Sequence, residues 1–353
     1  MNAKEVVLSG IRATGRLHLG NYLGAVKQFA ELSHDQTKLC IYFVADLHTL
    51  TTSFKEALKI KEYLPEIVLD YLAAGVDPKT SIIFAQSSVP ETAELAWILS
   101  CITPLGDLFR VPTFKDKVAG IQKTSGGEKQ ERAEDGYAGI NAGLLNYPVL
   151  MAADILGVKA NIVPVGNDQK PHLEMTAELA RRFNKGVARR KVFPIPTGKT
   201  TTVIPGLSPM NPDGSFPKMG KSEGNTVNLF DSPVIVAAKI RSAPTDPARI
   251  RRSDPGTPSK CPIFALHSCI SSGEEMQYCA NGCASASIGC IECKDILSKN
   301  IIVTLKPLQE RRGALVSQAN LVSDILTDGA SRARRIIRDT FREVSESIGL
   351  VKY

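Results

Sequence analysis

The sequence has no apolar run near the roughly 20 residues that a membrane-crossing helix needs, so no helical membrane span is expected. Met1-Asn2-Ala3-Lys4-Glu5 leads directly into a strand-like stretch without an apolar leader, so no secretory signal is expected and the cytoplasm is the default compartment. Internal repeats are absent, which argues against a solenoid. Extreme charge is also lacking: 22% of residues are charged, the net charge is +7 and the pI is near 8.9. That balance is compatible with a nucleic-acid partner without requiring one. With 353 residues, 43% of them hydrophobic, the chain is long enough for two cores.

The first half alternates apolar strand-like runs at 5–11, 39–45, 80–86 and 160–165 with helical patterns. Ile60, Leu64, Ile67, Tyr71 and Ala74, for example, recur on one helical face. Strands that are apolar throughout and separated by helices predict a parallel sheet covered on both faces, a doubly wound α/β domain over residues 1–205. The polar, glycine-rich stretch near 120–141 predicts a surface insert, and the prolines between 194 and 217 mark a linker with a loop over 206–232. From 233 to 353 the pattern predicts a smaller all-helical domain. Its last helix carries an apolar stripe of Ile337, Phe341, Val344 and Ile348. Arg332, Arg334, Arg335, Arg338 and Arg342 share that helix, and a solvated face is favoured over a phosphate-contacting one. Cys40 and Cys101 stand alone in apolar surroundings and read as core.

Residues 12–21, Arg12-Ala13-Thr14-Gly15-Arg16-Leu17-His18-Leu19-Gly20-Asn21, join a strand to a helix start. Free N–H groups and the helix dipole there favour an anion. Gly15 and Gly20 allow a close backbone approach, and His18 can donate to a phosphate oxygen as charge develops. The loop Lys218-Met219-Gly220-Lys221-Ser222 adds two ammonium groups and a hydroxyl, suited to clamping a departing pyrophosphate.

Both segments resemble the two signatures of class I aminoacyl-tRNA synthetases, and more narrowly those of bacterial-type tryptophanyl-tRNA synthetases. Asn21-Tyr22-Leu23-Gly24-Ala25, Phe43-Val44-Ala45-Asp46-Leu47-His48, the stretch 143–156 and Val163-Pro164-Val165-Gly166-Asn167-Asp168-Gln169 extend the likeness over nearly the whole chain. Two positions depart from the pattern. Gly220 stands where the second signature usually has serine, and Arg12 stands where many members carry glutamine.

The resemblance implies attack of tryptophan's carboxylate on the α-phosphate of ATP, with Mg²⁺ on the phosphates, followed by transfer to tRNA(Trp). It implies catalytic roles for His18, Asn21, Lys218, Lys221 and Ser222. It places Ala13, Thr14, Gly20, Lys117, Gly166, Asn167, Asp168, Ile204, Met219 and Gly220 at the nucleotide, Asp168 accepting from a ribose hydroxyl. Arg12 is our own addition to that set, as a further cation. Met151 and Asp154 share a helical face, and a carboxylate beside an apolar thioether suits an indole N–H better than a phenol. Tyr147, His48, Gln169 and Gly10 are expected to complete the tryptophan pocket. A homodimer is expected from the family, and no editing domain is visible.

Six of the eight cysteines fall between Cys261 and Cys293. Clustering of this kind points to metal rather than disulfides in a cytosolic chain. Cys261, Cys283, Cys290 and Cys293 offer four thiolates, which suit a tetrahedral zinc or a four-iron cluster; spacing alone does not separate the two, and without a resemblance zinc is favoured. A minority of the resembled family carry a 4Fe-4S cluster on nearly this spacing, so the resemblance implies that cluster, in a domain that meets the anticodon. Cys269 and Cys279 are alternative ligands to Cys261. Two other readings stay open: a tryptophan- or tRNA-binding paralogue that does not charge, and a small-metabolite nucleotidyltransferase. The second signature argues against the latter.

Overall fold

The structure, a computed structural model, describes residues 4–51, 57–112, 114, 115, 118 and 140–350, with Asn167 and Ser222 described by backbone alone. Lys117 and nearly all of the expected insert lie outside the described residues.

Strands β1 (Glu5–Ile11), β2 (Lys38–Val44), β3 (Ile82–Ala85), β4 (Ile162–Val165) and β5 (Thr197–Thr200) form one sheet in the order β3-β2-β1-β4-β5. Every pairing is parallel, with Val7 opposite both Cys40 and Ile162. The chain builds outward from β1 in one direction through β2 and β3, then in the other through β4 and β5. The carboxyl ends of β1 and β4 therefore open a crevice where ligands bind in such sheets. Strand β5 was not expected from the sequence. All four of its residues are exposed at the sheet edge and none is a large apolar one, so it carries no apolar signal.

Helix α1 runs from 19 to 33, α-helical at Leu19–Asn21, π-wound at Tyr22–Val26 and α-helical again at Lys27–Ser33. Then come α2 (Asp46–Leu50), α3 (Ile60–Ala74), α4 (Glu91–Cys101), α5 (Leu105–Phe109), α6 (Ala142–Gly157) and α7 (Lys170–Arg182). The expected α3 stripe is buried at Ile67, Tyr71 and Ala74 and packs against Phe29 and Tyr42, whose rings stack at 4.5 Å. Each such side chain contributes on the order of 1.5–3 kcal/mol by leaving water. Cys40 is in this core as expected. Cys101, at the end of α4, is exposed, which corrects the reading of it as core.

Beyond the linker lie α8 (Pro233–Ser242), α9 (Pro262–Ile270), α10 (Gly273–Ala284), α11 (Cys290–Val316) and α12 (Leu321–Ile348). Helix α12 returns to the sheet: Ile337 packs with Phe84 and Ile155, and Phe341 and Val344 pack with Leu95 and Val149. It approaches so closely that a Cβ on Gly329 would sit 1.8 Å from the carbonyl oxygen of Ile83 in β3. Its arginines are not simply solvated. Arg334 and Arg338 bond the buried Glu91, and Arg332 donates to the carbonyls of Pro78 and Ser81.

Gly329→Ala should therefore destabilise the chain by about 1–3 kcal/mol through overpacking. Gly313→Ala, in the last turn of α11 with nothing within 4 Å of the added methyl, should stabilise it by up to about 0.5–1 kcal/mol. Urea or thermal unfolding of the two variants tests this, and equal effects would contradict the close α12–β3 approach.

Candidate active site

At the carboxyl end of β1 the chain turns through Gly15, whose φ of +120° an L side chain rarely adopts, and enters α1 at His18. His18 and Asn21 cap this start reciprocally. The Asn21 N–H donates to His18 Nδ1 at 3.3 Å, and the His18 N–H donates to Asn21 Oδ1 at 3.1 Å. Because Nδ1 accepts, the ring proton resides on Nε2. Burial, then the charges of Lys221 and Lys218, push the His18 pKa down to about 4, so the ring is a neutral donor at pH 7.

The second loop docks directly on the first. Met219, fully buried, places its sulfur 3.2 Å from the Gly20 N–H, and a Cβ on Gly20 would meet Met219 Cβ at 2.9 Å. Lys221 Nζ donates to the Gly15 carbonyl at 2.7 Å. Backbone bridges pair His18 with Asn228 and Pro205 with Lys218, and the Ile204 carbonyl accepts from the Met219 N–H at 2.9 Å. Asn225, buried and missed in the sequence, ties the loop. Its Oδ1 accepts from the Gly220 N–H at 2.9 Å and its Nδ2 donates to the Lys218 carbonyl at 3.2 Å. A side-chain hydroxyl at position 220 is thus not needed to fix this turn.

Burial, opposed by the charge of Asp70 and helped by that of Arg12, lowers the Lys221 pKa to about 8. Arg12, Lys218 and Lys221 therefore gather positive charge around a neutral His18, an arrangement that a polyphosphate would relieve. Ala13 is fixed beneath them by its N–H bond to Thr49 Oγ1 at 3.0 Å. Asp70, too, went unnoticed in the sequence. It is buried on α3, raised to about 6 by burial against the pull of Arg312, and accepts from the Leu17 N–H at 3.4 Å and from Arg312 Nε at 3.0 Å. Arg312, on α11, also bonds Glu66 and lies 4.5 Å over the Phe230 ring. The helical region is thereby tied to the loop that carries His18.

Across the crevice, Asp154 on α6 is buried. It accepts from Gln86 Nε2 at 2.7 and 2.9 Å and from His48 Nε2 at 3.0 Å. Burial pushes its carboxyl upward and these donors pull it back, leaving the pKa raised. Gln86 was missed as a site residue, although its position at the carboxyl end of β3 was a usable signal. Met151, one turn before Asp154, packs with Phe43 and Phe84. Tyr147 lies edge-on to His48 at 6.2 Å, and its hydroxyl is 2.6 Å from His172 Nε2. Gly10 is exposed at the end of β1 against the Phe43 ring. Gly166 begins the turn after β4, where exposed Asp168 accepts from Gln169 Nε2 at 2.8 Å. In this arrangement the Gln169 amide is directed at Asp168. Of the remaining expected site residues, Thr14 follows Arg12 in the same turn, its N–H on the Arg12 carbonyl at 2.9 Å.

The cysteine-rich region brings together a set that differs from the expected one. His267 Nε2 lies 3.4 Å from Cys293 Sγ and 3.9 Å from Cys279 Sγ, and all three donor atoms fall within 4.8 Å of one another. Burial and the neighbouring Cys279, Cys261 and Cys283 thiols push the Cys293 thiol up. Cys283 Sγ also takes a contact from Arg249 at 3.5 Å. Burial lowers the Lys294 pKa, against the upward pull of Cys290, Cys261 and Cys293. Among the described residues, then, the His/Cys group whose donor atoms converge is His267, Cys279 and Cys293; of these, Cys279 was expected only as an alternative ligand and His267 was not expected.

Residues 1–306 match the family described as tRNA synthetases class I (W and Y). A Thermotoga maritima protein named tryptophan–tRNA ligase is 41% identical over 98% of this chain and 99% of its own length. One of that name from Deinococcus radiodurans is 39% identical over the same shares. Tryptophanyl-tRNA synthetase of Campylobacter jejuni, solved with ADP and tryptophan, superposes with a TM-score of 0.78 at 31% identity. That match covers 98% of this chain and all of that one.

The lowered Lys221 pKa gives a pH test. Affinity for a nucleoside triphosphate should fall as pH rises through about 8, where the free ammonium loses its proton. Because bound phosphates favour the charged form, binding at a pH just above that value should take up a proton, seen as buffer-dependent heat in calorimetry. Lys221→Gln should abolish that uptake; uptake unchanged in the variant would contradict the assignment.

Proposed function

The chain belongs to the class I tRNA synthetases of the tryptophan and tyrosine type, and on that premise we propose that it activates L-tryptophan with ATP and transfers the tryptophanyl group to tRNA(Trp). The observation that carries the choice of amino acid is Asp154, buried beside Met151 with His48 and Gln86 holding its oxygens. Those donors occupy three of the roughly four lone-pair sites of a carboxylate, leaving one for an indole N–H. Near-full-length relatives bearing the tryptophan name support the same choice.

In the first step a tryptophan carboxylate oxygen attacks the α-phosphorus of ATP. The bond from that phosphorus to the bridging oxygen breaks, and pyrophosphate leaves with the electron pair and the Mg²⁺ that entered with the nucleotide. The nucleophile is already an anion, so no general base is needed, and catalysis rests on position and charge. Lys218 and Lys221 meet the departing phosphates together with Ser222, and Arg12 adds a third cation. His18 donates from neutral Nε2, and Asn21 holds its ring. Gly166, Asn167 and Asp168 hold the ribose. In the second step the 3′-terminal ribose hydroxyl of the tRNA takes the acyl group and AMP departs.

Helices α8 to α11 are assigned to anticodon contact. A homodimer fits the exposure of Trp97 (73%) and Leu105 (58%) on α4 and α5. Charging of tRNA places the work of the chain in the cytoplasm, and among the described residues no helix is long and apolar enough to cross a membrane. Gly220 favours no inactive paralogue, since Asn225 holds the loop through backbone groups.

For the cysteine region we favour a 4Fe-4S cluster on Cys261, Cys283, Cys290 and Cys293. Burial first, and neighbouring cysteines after it, push the Cys261 and Cys293 thiols up, and such buried thiols become stable thiolates only beside a cation. Bound there, such a group would cross-link α9, α10 and α11. A single zinc on His267, Cys279 and Cys293 is the competing occupant.

Pyrophosphate exchange into ATP should depend on tryptophan and not on tyrosine. Asp154→Ala should lower kcat/KM for tryptophan about 10- to 100-fold; exchange supported by tyrosine would refute the pocket assignment. Anaerobic purification should yield brown protein with about four irons per chain, lost in Cys290→Ser. A colourless chain holding zinc that is lost in His267→Ala but kept in Cys290→Ser would overturn the cluster.

A further inference from the structure

Arg332, Arg335, Arg338 and Arg342 recur on one face of α12, a row roughly 15 Å long at 1.5 Å per residue. They border a groove of about 830 Å³ whose floor is small, formed by Ala85, Ser88 and Ala330 among others. With Arg334, five guanidinium groups line it, while the carboxylates on or beneath this face that pair with them are Glu91, Asp328 and Asp339. Glu91 is spent inward. It is buried, and although desolvation opposes ionisation, Arg334 and Arg338 hold its pKa down at about 2. Arg342 and Arg338 stay largely exposed despite their pairs, at 70% and 59%, and exposed Arg335 makes no ion pair among the described residues. Structural need explains Arg332, Arg334 and Arg338, which fasten α12 to β3 and α4. It does not explain Arg335 or Arg342.

The groove also lies at the reacting edge of the sheet. Ala85 and Ser88 bracket Gln86, the residue whose amide holds Asp154, so the groove opens at the carboxyl end of β3 behind the amino-acid pocket. A row of guanidinium groups over a floor of small residues, open along its length, fits a flexible chain bearing regularly spaced anions.

We propose that this α12 groove binds the phosphate backbone of the tRNA, with Arg335, which has no ion pair among the described residues, and Arg342, held only by an exposed pair with Asp339 on its own helix, as the two cations that do not fasten α12 to the sheet. The inference rests on the tRNA-charging reading. Phosphate recognition of this kind carries little sequence information, so its removal should weaken binding uniformly and reduce the salt dependence.

The test compares the wild-type full-length chain with Arg335→Glu/Arg342→Glu and with the gentler Arg335→Gln/Arg342→Gln. Tryptophan-dependent pyrophosphate exchange and the melting temperature should be unchanged in both. The KM for tRNA(Trp) in charging should rise about tenfold in the glutamate pair and less in the glutamine pair. The slope of log Kd against log salt for tRNA binding should shrink by about one for each phosphate that is no longer neutralised. An unchanged KM and an unchanged salt slope in the glutamate pair, with normal wild-type charging, would overturn the groove. Wild-type protein that binds tRNA(Trp) but never charges it would instead sink the functional reading, and the salt slopes would still decide the groove.

Discussion

A carboxylate withdrawn from water into an apolar layer is costly unless donors meet it, and in this chain that constraint organises the amino-acid side of the crevice. Asp154 comes from α6, His48 from the helix after β2, and Gln86 from the turn after β3. Three crossovers must end in register for those bonds to form, which a parallel sheet with all its carboxyl ends on one edge provides. Asp46 nearby is likewise saturated, by the Ser87 N–H and hydroxyl and by the Leu47 N–H. The polar residues at this edge form two adjacent hydrogen-bonded groups, one on Asp154 and one on Asp46, and Met151 supplies the apolar wall.

On the nucleotide side the problem is reversed, since cations are gathered around a histidine that stays neutral. Two loops 199 residues apart are held together by glycine: Gly20 admits the Met219 side chain, and Gly15 offers a carbonyl to Lys221. Burial first, and the neighbouring cations after it, lower the pKa values of His18 and Lys221. Asp70 and Arg312 carry the arrangement outward, so α11 shares a buried ion pair with the helix that backs the first loop. Removing one partner of such a pair typically costs about 3–5 kcal/mol, because the other charge is left buried and unpaired.

Much of this was legible in the residues. Apolar strands and helical stripes identified β1 to β4 and α3, and the two short signatures meet as their chemistry required. What stayed hidden was non-local. Strand β5 has no apolar side chains to announce it, and Gln86, Asn225 and Asp70 are ordinary polar residues until the fold buries them against a partner. The α12 arginines looked solvated because Glu91, their anchor, is more than 240 residues distant in sequence. In the cysteine region, spacing singled out four thiols, with Cys279 as an alternative, but could not show that His267 joins Cys279 and Cys293.

The central claim is that one buried carboxylate selects the amino acid by accepting an indole N–H. It is tested most directly by kcat/KM in pyrophosphate exchange for tryptophan against its benzothiophene analogue, which keeps the shape and replaces the N–H with sulfur. The analogue should be about 10- to 100-fold worse with the wild-type chain, and that gap should close in Asp154→Ala. Equal use of the two amino acids by the wild-type chain would contradict the account.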